Sequence, residues 1–313
     1  PEFKTFLHNM RSGTISEAES EWLHGKCLDK MSPDERAQFD DAIHICPKWA
    51  KANEVCFKYL QDDLDEPIAL VKAKMSTIKS SGKNCCADGS VLPLLTPICV
   101  GAKVMLLENK VVEEDLANGS IGVVREICYA PGEIMGQKGA KMYALVEFPN
   151  SNLSECTVHG VTDTKMVAIP TSTKLCDKKC CTIENLPLRV CKGLTNHKVQ
   201  GMSIGPGEQF EKGIIHFPEG RMRNIPGLVL TACTRFKQPR DFAIGTVSSS
   251  LSKEEVMKIG TQKSYQEKRA FREKLATQSE NTMTRSIERI TALDTASQKT
   301  FEGGCNFLLR WYR

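Results

Sequence analysis

The sequence predicts an α/β fold carrying a small all-β insert, and three observations lead there. Ala42-Ile43-His44-Ile45-Cys46 is an apolar run of strand length, and Trp49 to Leu60 follows it with helical spacing; a strand feeding directly into a helix suggests an α/β layer. Between about residues 119 and 185, short strand-like runs alternate with polar turns, which is the pattern of a small barrel. From residue 194 onward a polar cluster precedes the apolar run Gly213 to Phe217, and a second apolar segment, Leu228 to Ala232, ends in the single arginine Arg235.

Taken in order, Phe3, Phe6, Leu7 and Met10 have helical spacing, and Gly13 is placed to stop that helix. Ser16-Glu17-Ala18-Glu19 reads as a capping box, and Ser32-Pro33-Asp34-Glu35 repeats the device with proline at the first helical position. His44, inside the first strand, reads as a core or strand-edge residue rather than a catalyst. Leu70 to Met75 reads as a strand, Thr77 to Ser90 as a polar loop, and Leu64-Asp65-Glu66 as a solvated turn, because no apolar strand leads into that acidic pair. The loop does not form a phosphate cradle. That motif needs G-x-x-x-x-G-K-[ST], so that backbone amides wrap the phosphates and a hydroxyl holds Mg²⁺. Here Thr77 stands at the first glycine position and Asn84 at the hydroxyl position. Val100 to Leu107, Ile121 to Ile127, Met142 to Phe148, Val158 to Val161 and Met166 to Ile169 supply further strands. Asn118-Gly119 marks a tight turn, and Pro131 to Gly139 a glycine-rich link. Phe242 to Val247 reads as a closing strand. From Ser250 a polar segment with sparse apolar positions runs past residue 290, as an exposed helix or a disordered tail.

Composition sets the outer limits. A length of 313 residues suits about two domains, and 41% hydrophobic with 26% charged residues supplies ample core material. A net charge of +4 permits nucleic-acid binding without announcing it. No apolar run reaches membrane-spanning length, and the start Pro-Glu-Phe-Lys-Thr-Phe is not a secretory signal. The missing initiator methionine suggests a piece of a longer product. Of the fourteen cysteines, Cys176, Cys180 and Cys181, with Cys191 beyond, form a crowded set. Zinc prefers paired, short-spaced ligands, so reduced thiols and no metal are expected.

The chemistry concentrates between residues 194 and 235. Thr195, His197, Lys198 and Gln200 fall close together, and Gly201 lets backbone approach a ligand. An arginine at the end of an apolar segment is a way to fix a cation that meets a phosphate.

Thr195-Asn196-His197-Lys198-Val199-Gln200-Gly201, followed by Ala232-Cys233-Thr234-Arg235, resembles motifs V and VI of the PIF-family DNA helicases, the RecD-like branch of superfamily 1. Val100 to Asn109 resembles that family's V-G-x-x-V-M-L-x-x-N, Leu116 to Val124 its L-x-N-G-[ST]-x-G-x-V, and Leu186-Pro187-Leu188 its lead into motif V. The family has Ile or Val where Asn196 stands. The resemblance covers roughly residues 2 to 247. It implies a RecA-like second motor domain formed by residues 1–118 and 186–250, an SH3-like barrel insert at 119–185 and a polar helical tail at 251–313. It also implies that Arg235 is an arginine finger, that Lys198, Gln200 and Gly201 couple nucleotide state to DNA, and that Thr195 and His197 face the DNA backbone. ATP and Mg²⁺ would be shared with an N-terminal RecA-like half that this sequence lacks, so the chain alone is expected to be inactive. Single-stranded or forked DNA would be the partner, without a membrane, in the nucleus or another DNA-containing compartment. The alternative is an inert helicase remnant that binds nucleic acid.

Overall fold

The computed structural model describes residues 2–77, 92–129, 132, 142–153, 165–176, 179–219, 225, 227–261 and 263–300, the last nine of these as backbone. The strand expected at 158–161, the loop at 78–90 and nearly all of the 131–139 link lie outside the described residues.

The N-terminal helices form as their sequence signals require. Helix α1 (Phe3–Ser12) buries Phe6 and Met10 on one stripe and ends at Gly13, whose φ of 72° is a left-handed conformation. Glycine is needed there twice over, because a Cβ on Gly13 would meet the carbonyl oxygen of Gly260 at 2.6 Å. In α2 (Glu17–His24) both arms of the capping box close. The Glu19 amide donates to the Ser16 hydroxyl, and the Ser16 amide donates to the Glu19 carboxylate at 2.8 Å. The single turn α3 (Pro33–Ala37) repeats this with Ser32 and Glu35.

Strand β1 (Ile43–Cys46) and helix α4 (Trp49–Asp62) follow as anticipated. The segment read as one strand is two, β2 (Ala69–Lys72) and β3 (Lys74–Thr77). The chain divides at Ala73, whose amide donates to the Leu94 carbonyl, and sends β2 to β4 (Leu95–Ile98) and β3 to a separate sheet. Next come β5 (Lys103–Leu106), β6 (Ile121–Tyr129), β7 (Met142–Glu147), β8 (Met166–Pro170), β9 (Ser172–Leu175), β10 (Cys181–Asn185) and β11 (Leu188–Val190). The chain then runs through β12 (Gly193–Thr195), β13 (Gly213–Ile215), helix α5 (Leu228–Cys233), β14 (Phe242–Ile244), α6 (Lys253–Met257) and α7 (Lys263–Thr300).

The described strands form a mixed structure. One sheet is parallel, in the order β12-β1-β13-β14, with Ile45 paired to both Leu194 and Ile215. A five-stranded antiparallel sheet has the order β11-β5-β6-β7-β8, and a three-stranded one the order β3-β10-β9. The antiparallel sheet therefore reaches outside residues 119–185. Strands β5 and β11, on either side of the insert in sequence, pair with each other, and this pairing delivers the chain to β12. Two cores result. The larger gathers Phe6, Leu23, Ile45, Leu194, Ile215, Phe236 and Phe242 on one face of the parallel sheet. The second packs Cys56, Tyr59 and Leu60 of α4 against Val104, Leu106, Val124, Val146 and Ile169 of the antiparallel sheet. Helix α7 carries Phe271, Met283, Ile287 and Ile290 exposed. No helix among the described residues is long and apolar enough to cross a membrane.

His44 and His216 stack at a 5.1 Å centroid distance, with Nδ1 of the first 2.8 Å from Nε2 of the second. Burial, then the neighbouring His216, pushes His44 down to about 3; burial, then Lys51, pushes His216 down to about 4. The unfolded chain protonates both rings near the ordinary value of about 6.5. The sign follows. Stability is full above that pH and is lost as pH falls from about 6.5 toward 4 and then 3, at no more than about 1.4 kcal/mol per pH unit for each ring. Chemical denaturation at pH 7 and pH 5 is expected to show this loss, and a variant carrying His44→Gln and His216→Gln should flatten it. Equal pH slopes in both proteins would reject the assignment.

Candidate nucleotide and nucleic-acid site

Strand β12 ends at Thr195, and the chain turns at once. The Thr195 carbonyl accepts from the amides of Lys198 at 2.9 Å and Val199 at 3.2 Å, and the Val199 carbonyl accepts from Met202 at 3.1 Å. Val199 is fully buried and pins the turn to the core, which leaves His197, Gln200 and Gly201 exposed and Lys198 half-buried. Gly201 has a φ of 85°, and nothing lies within 4 Å of where its Cβ would stand, so the backbone there is open to a ligand. Of the two residues expected at DNA, His197 is exposed and Thr195 is only 4% exposed. Thr195 closes the sheet edge and its carbonyl organises the turn.

Asn196, the departure from the family pattern, has a structural reason. Its side chain is buried and its Nδ2 donates to the Leu228 carbonyl at 2.7 Å, while its amide donates to Cys46 at 3.2 Å. An aliphatic residue could not make the first of these bonds. Asn196 thus ties the turn to α5, the helix that delivers Arg235.

Three neutral acceptors hold Arg235. Its Nε donates to the Thr231 carbonyl at 3.2 Å, one terminal nitrogen to the Met202 carbonyl at 3.4 Å and the other to the Thr234 hydroxyl at 3.1 Å. The backbone is pinned as well, since the Arg235 carbonyl accepts from Ile204 and the Ile204 carbonyl accepts from Lys237, both at 2.9 Å. Among the described residues no carboxylate pairs with Arg235. The guanidinium is therefore oriented but not neutralised, as an anion-binding group must be.

Two further residues escaped the sequence reading, which stopped at Leu188, one position short. Arg189 on β11 stacks on the Trp49 ring at 3.9 Å, and its Nε is buried without a hydrogen-bond partner among the described residues. Burial lowers its pKa, and it lowers that of Lys198 too, with the Arg189 charge as the second cause. Trp49, Asn53, Phe57, Thr96 and Arg189 line a cavity of about 530 Å³ at the junction of α4 with β4 and β11. Nothing in the local sequence announces this pair, because α4 and β11 meet only through the tertiary fold.

No family profile matches the sequence, and no curated relative matches it. Solved structures do. One, of Pif1 helicases described as two coordinating copies that unwind forked double-stranded DNA, aligns at a TM-score of 0.56 with 19% identity, covering 82% of this chain and 48% of that one. Pif1 helicase from Candida albicans aligns at 0.57 with 15% identity, covering 81% of this chain and 54% of its own. Pif1 helicase from Bacteroides, in complex with ADP-AlF3 and single-stranded DNA, aligns at 0.53 with 19% identity, covering 80% and 51%. The chain spans about half the length of the structures it matches. Its fold, a mixed α/β architecture with a parallel sheet, is that of Pif1 helicases over this half.

Proposed function

We propose that this chain is the second, C-terminal motor half of a PIF-like, ATP-dependent 5′-to-3′ DNA helicase, acting in DNA repair, recombination or replication. The observation that carries the reading is the hydrogen-bonded path from the exposed turn to Arg235 through Asn196, Leu228, Met202 and Ile204. A rigid link of this kind is what a motor needs if the state of a phosphate is to move a nucleic-acid strand. Arg235 is the arginine finger, whose guanidinium stabilises the charge that develops on the γ-phosphoryl group in the transition state. Lys198, Gln200 and Gly201 transmit the change, and His197 meets the DNA backbone while Thr195 shapes the turn beneath it. ATP and Mg²⁺ are held jointly with a RecA-like half that carries the phosphate cradle, and without that half the chain does not turn over ATP. Residues 1–118 and 186–250 form the RecA-like domain. The antiparallel strands around 119–185 form an SH3-like barrel that grips the strand, and 251–313 is an appended tail. Such a protein works in the nucleus or another compartment that holds DNA.

The test is binding of a fluorescent single-stranded oligonucleotide across a salt series. Micromolar binding that weakens steeply with salt is expected, because phosphate contacts release counterions, and His197→Ala should weaken it. A folded chain that fails to bind at low salt would sink the proposal. Binding that resists salt would point away from backbone contacts.

A further inference from the structure

Among the described residues, little apolar matter packs against the three-stranded sheet β3-β10-β9. Its buried cluster there is Leu92, Cys176, Cys180, Cys181 and Ile183, so three of the five side chains are cysteines. Cores this small usually need a covalent or metal tie. The three sulphurs lie within 4.8 Å of one another, with Cys176 and Cys180 Sγ 3.4 Å apart. A tetrahedral zinc ion with Zn–S bonds of about 2.3 Å holds its sulphurs about 3.8 Å apart, so the cluster is already close to that spacing.

The backbone is folded to present the sulphurs. Lys179 takes a left-handed φ of 54°, its amide donates to the Cys176 carbonyl at 2.8 Å, and the Cys176 amide donates to the Cys181 carbonyl at 3.0 Å. This tight turn also directs the Cys180 amide onto the Cys176 Sγ at 3.3 Å. Cys176 and Cys181 are thiols, whereas Cys180 is disulfide-bonded.

We propose that in the reduced chain Cys176, Cys180 and Cys181 hold one thiophilic divalent ion, zinc by preference, which closes the β3-β10-β9 sheet. A monothiol reductant opens the disulfide: two equivalents give the Cys180 thiol, its partner's thiol and one oxidised reductant disulfide. Zinc then binds three thiolates as their protons pass to solvent, and a further donor or water completes the tetrahedron. Soft sulphur ligands select zinc over harder ions. The cysteines belong to a different buried cluster from the Thr195–Arg235 segment, and the site does not depend on that segment's function.

Cobalt tests this directly. The full chain, reduced and stripped of metal, is titrated with Co²⁺ and then with Zn²⁺. One equivalent of Co²⁺ is expected to produce a thiolate-to-metal charge-transfer band and the strong visible bands of a tetrahedral site, both erased by Zn²⁺. Cys181→Ser should lose the charge-transfer band, and Cys128→Ser, a half-buried thiol on β6, should keep it. The unsubstituted chain gives an answer even if Cys181→Ser does not fold. A reduced, folded chain without a thiolate band overturns the proposal, and so does a Cys180 disulfide that survives reductant, which would make the tie a covalent one.

Discussion

Arg235→Ala, in protein that carries both motor halves, is expected to slow DNA-stimulated ATP turnover by about 10³- to 10⁵-fold, the range in which arginine fingers act. On the proposed role the magnitude is large because the guanidinium would meet charge that develops only in the transition state. The structure supplies what such a role requires, a cation oriented by three neutral acceptors and pinned by the Ile204 bridge with no carboxylate set against it among the described residues. Arg235→Lys should recover little, since an ammonium cannot reproduce the fork that donates to Thr231, Met202 and phosphate together. Nucleotide-free DNA binding should be unchanged, because the DNA contact is assigned to His197. Steady-state ATPase with saturating single-stranded DNA is the measurement. A loss of less than tenfold would remove Arg235 from the transition state, and a parallel loss of DNA affinity would place it in the DNA groove instead.

Phe242→Ala is expected to destabilise the chain by about 3–5 kcal/mol, the cost of truncating a fully buried phenylalanine and leaving a cavity. That is a large share of a typical domain's stability of about 5–15 kcal/mol. Phe242 is 0% exposed, and its ring lies 5.2 Å from Phe236, 5.9 Å from Phe3 and 6.1 Å from Trp22, so one side chain joins β14 to both N-terminal helices. The consequence reaches the site. Phe236 follows Arg235 directly and takes part in the bridge to Ile204, so a void beside Phe236 loosens the segment that aims the guanidinium. Urea denaturation monitored by tryptophan fluorescence gives the stability loss. A change below about 1 kcal/mol would mean that the neighbouring rings collapse into the space.

Much of the molecule was legible from local chemistry. The strands at 43–46 and Phe242 are marked by their own apolar runs although their pairing partners lie far along the chain, and the capping boxes at Ser16 and Ser32 depend on contacts within three residues. The turn between Thr195 and Gly201 was readable for the same reason, since its glycine and the buried Val199 decide which side chains remain outside. The segment after Ser250 read as an exposed helix or a disordered tail; it forms a short helix capped by Ser252 and then the long helix α7.

What local chemistry could not decide were the long-range pairings. Whether residues 70–75 form one strand or two depends on which distant edges, Leu95–Ile98 or Cys181–Asn185, are within reach to accept their hydrogen bonds. Thr195 is polar and lies in a polar run, yet it is buried because β12 pairs with β1 at Cys46. Asn196 reads as a departure from the family pattern until the Leu228 carbonyl is brought to it. Arg189 and Trp49 are 140 residues apart in sequence, and only the packing of α4 against β11 stacks them. Sequence settles a residue's conformation where its partners are neighbours along the chain; where the partner arrives from another strand, burial and partnership belong to the tertiary structure.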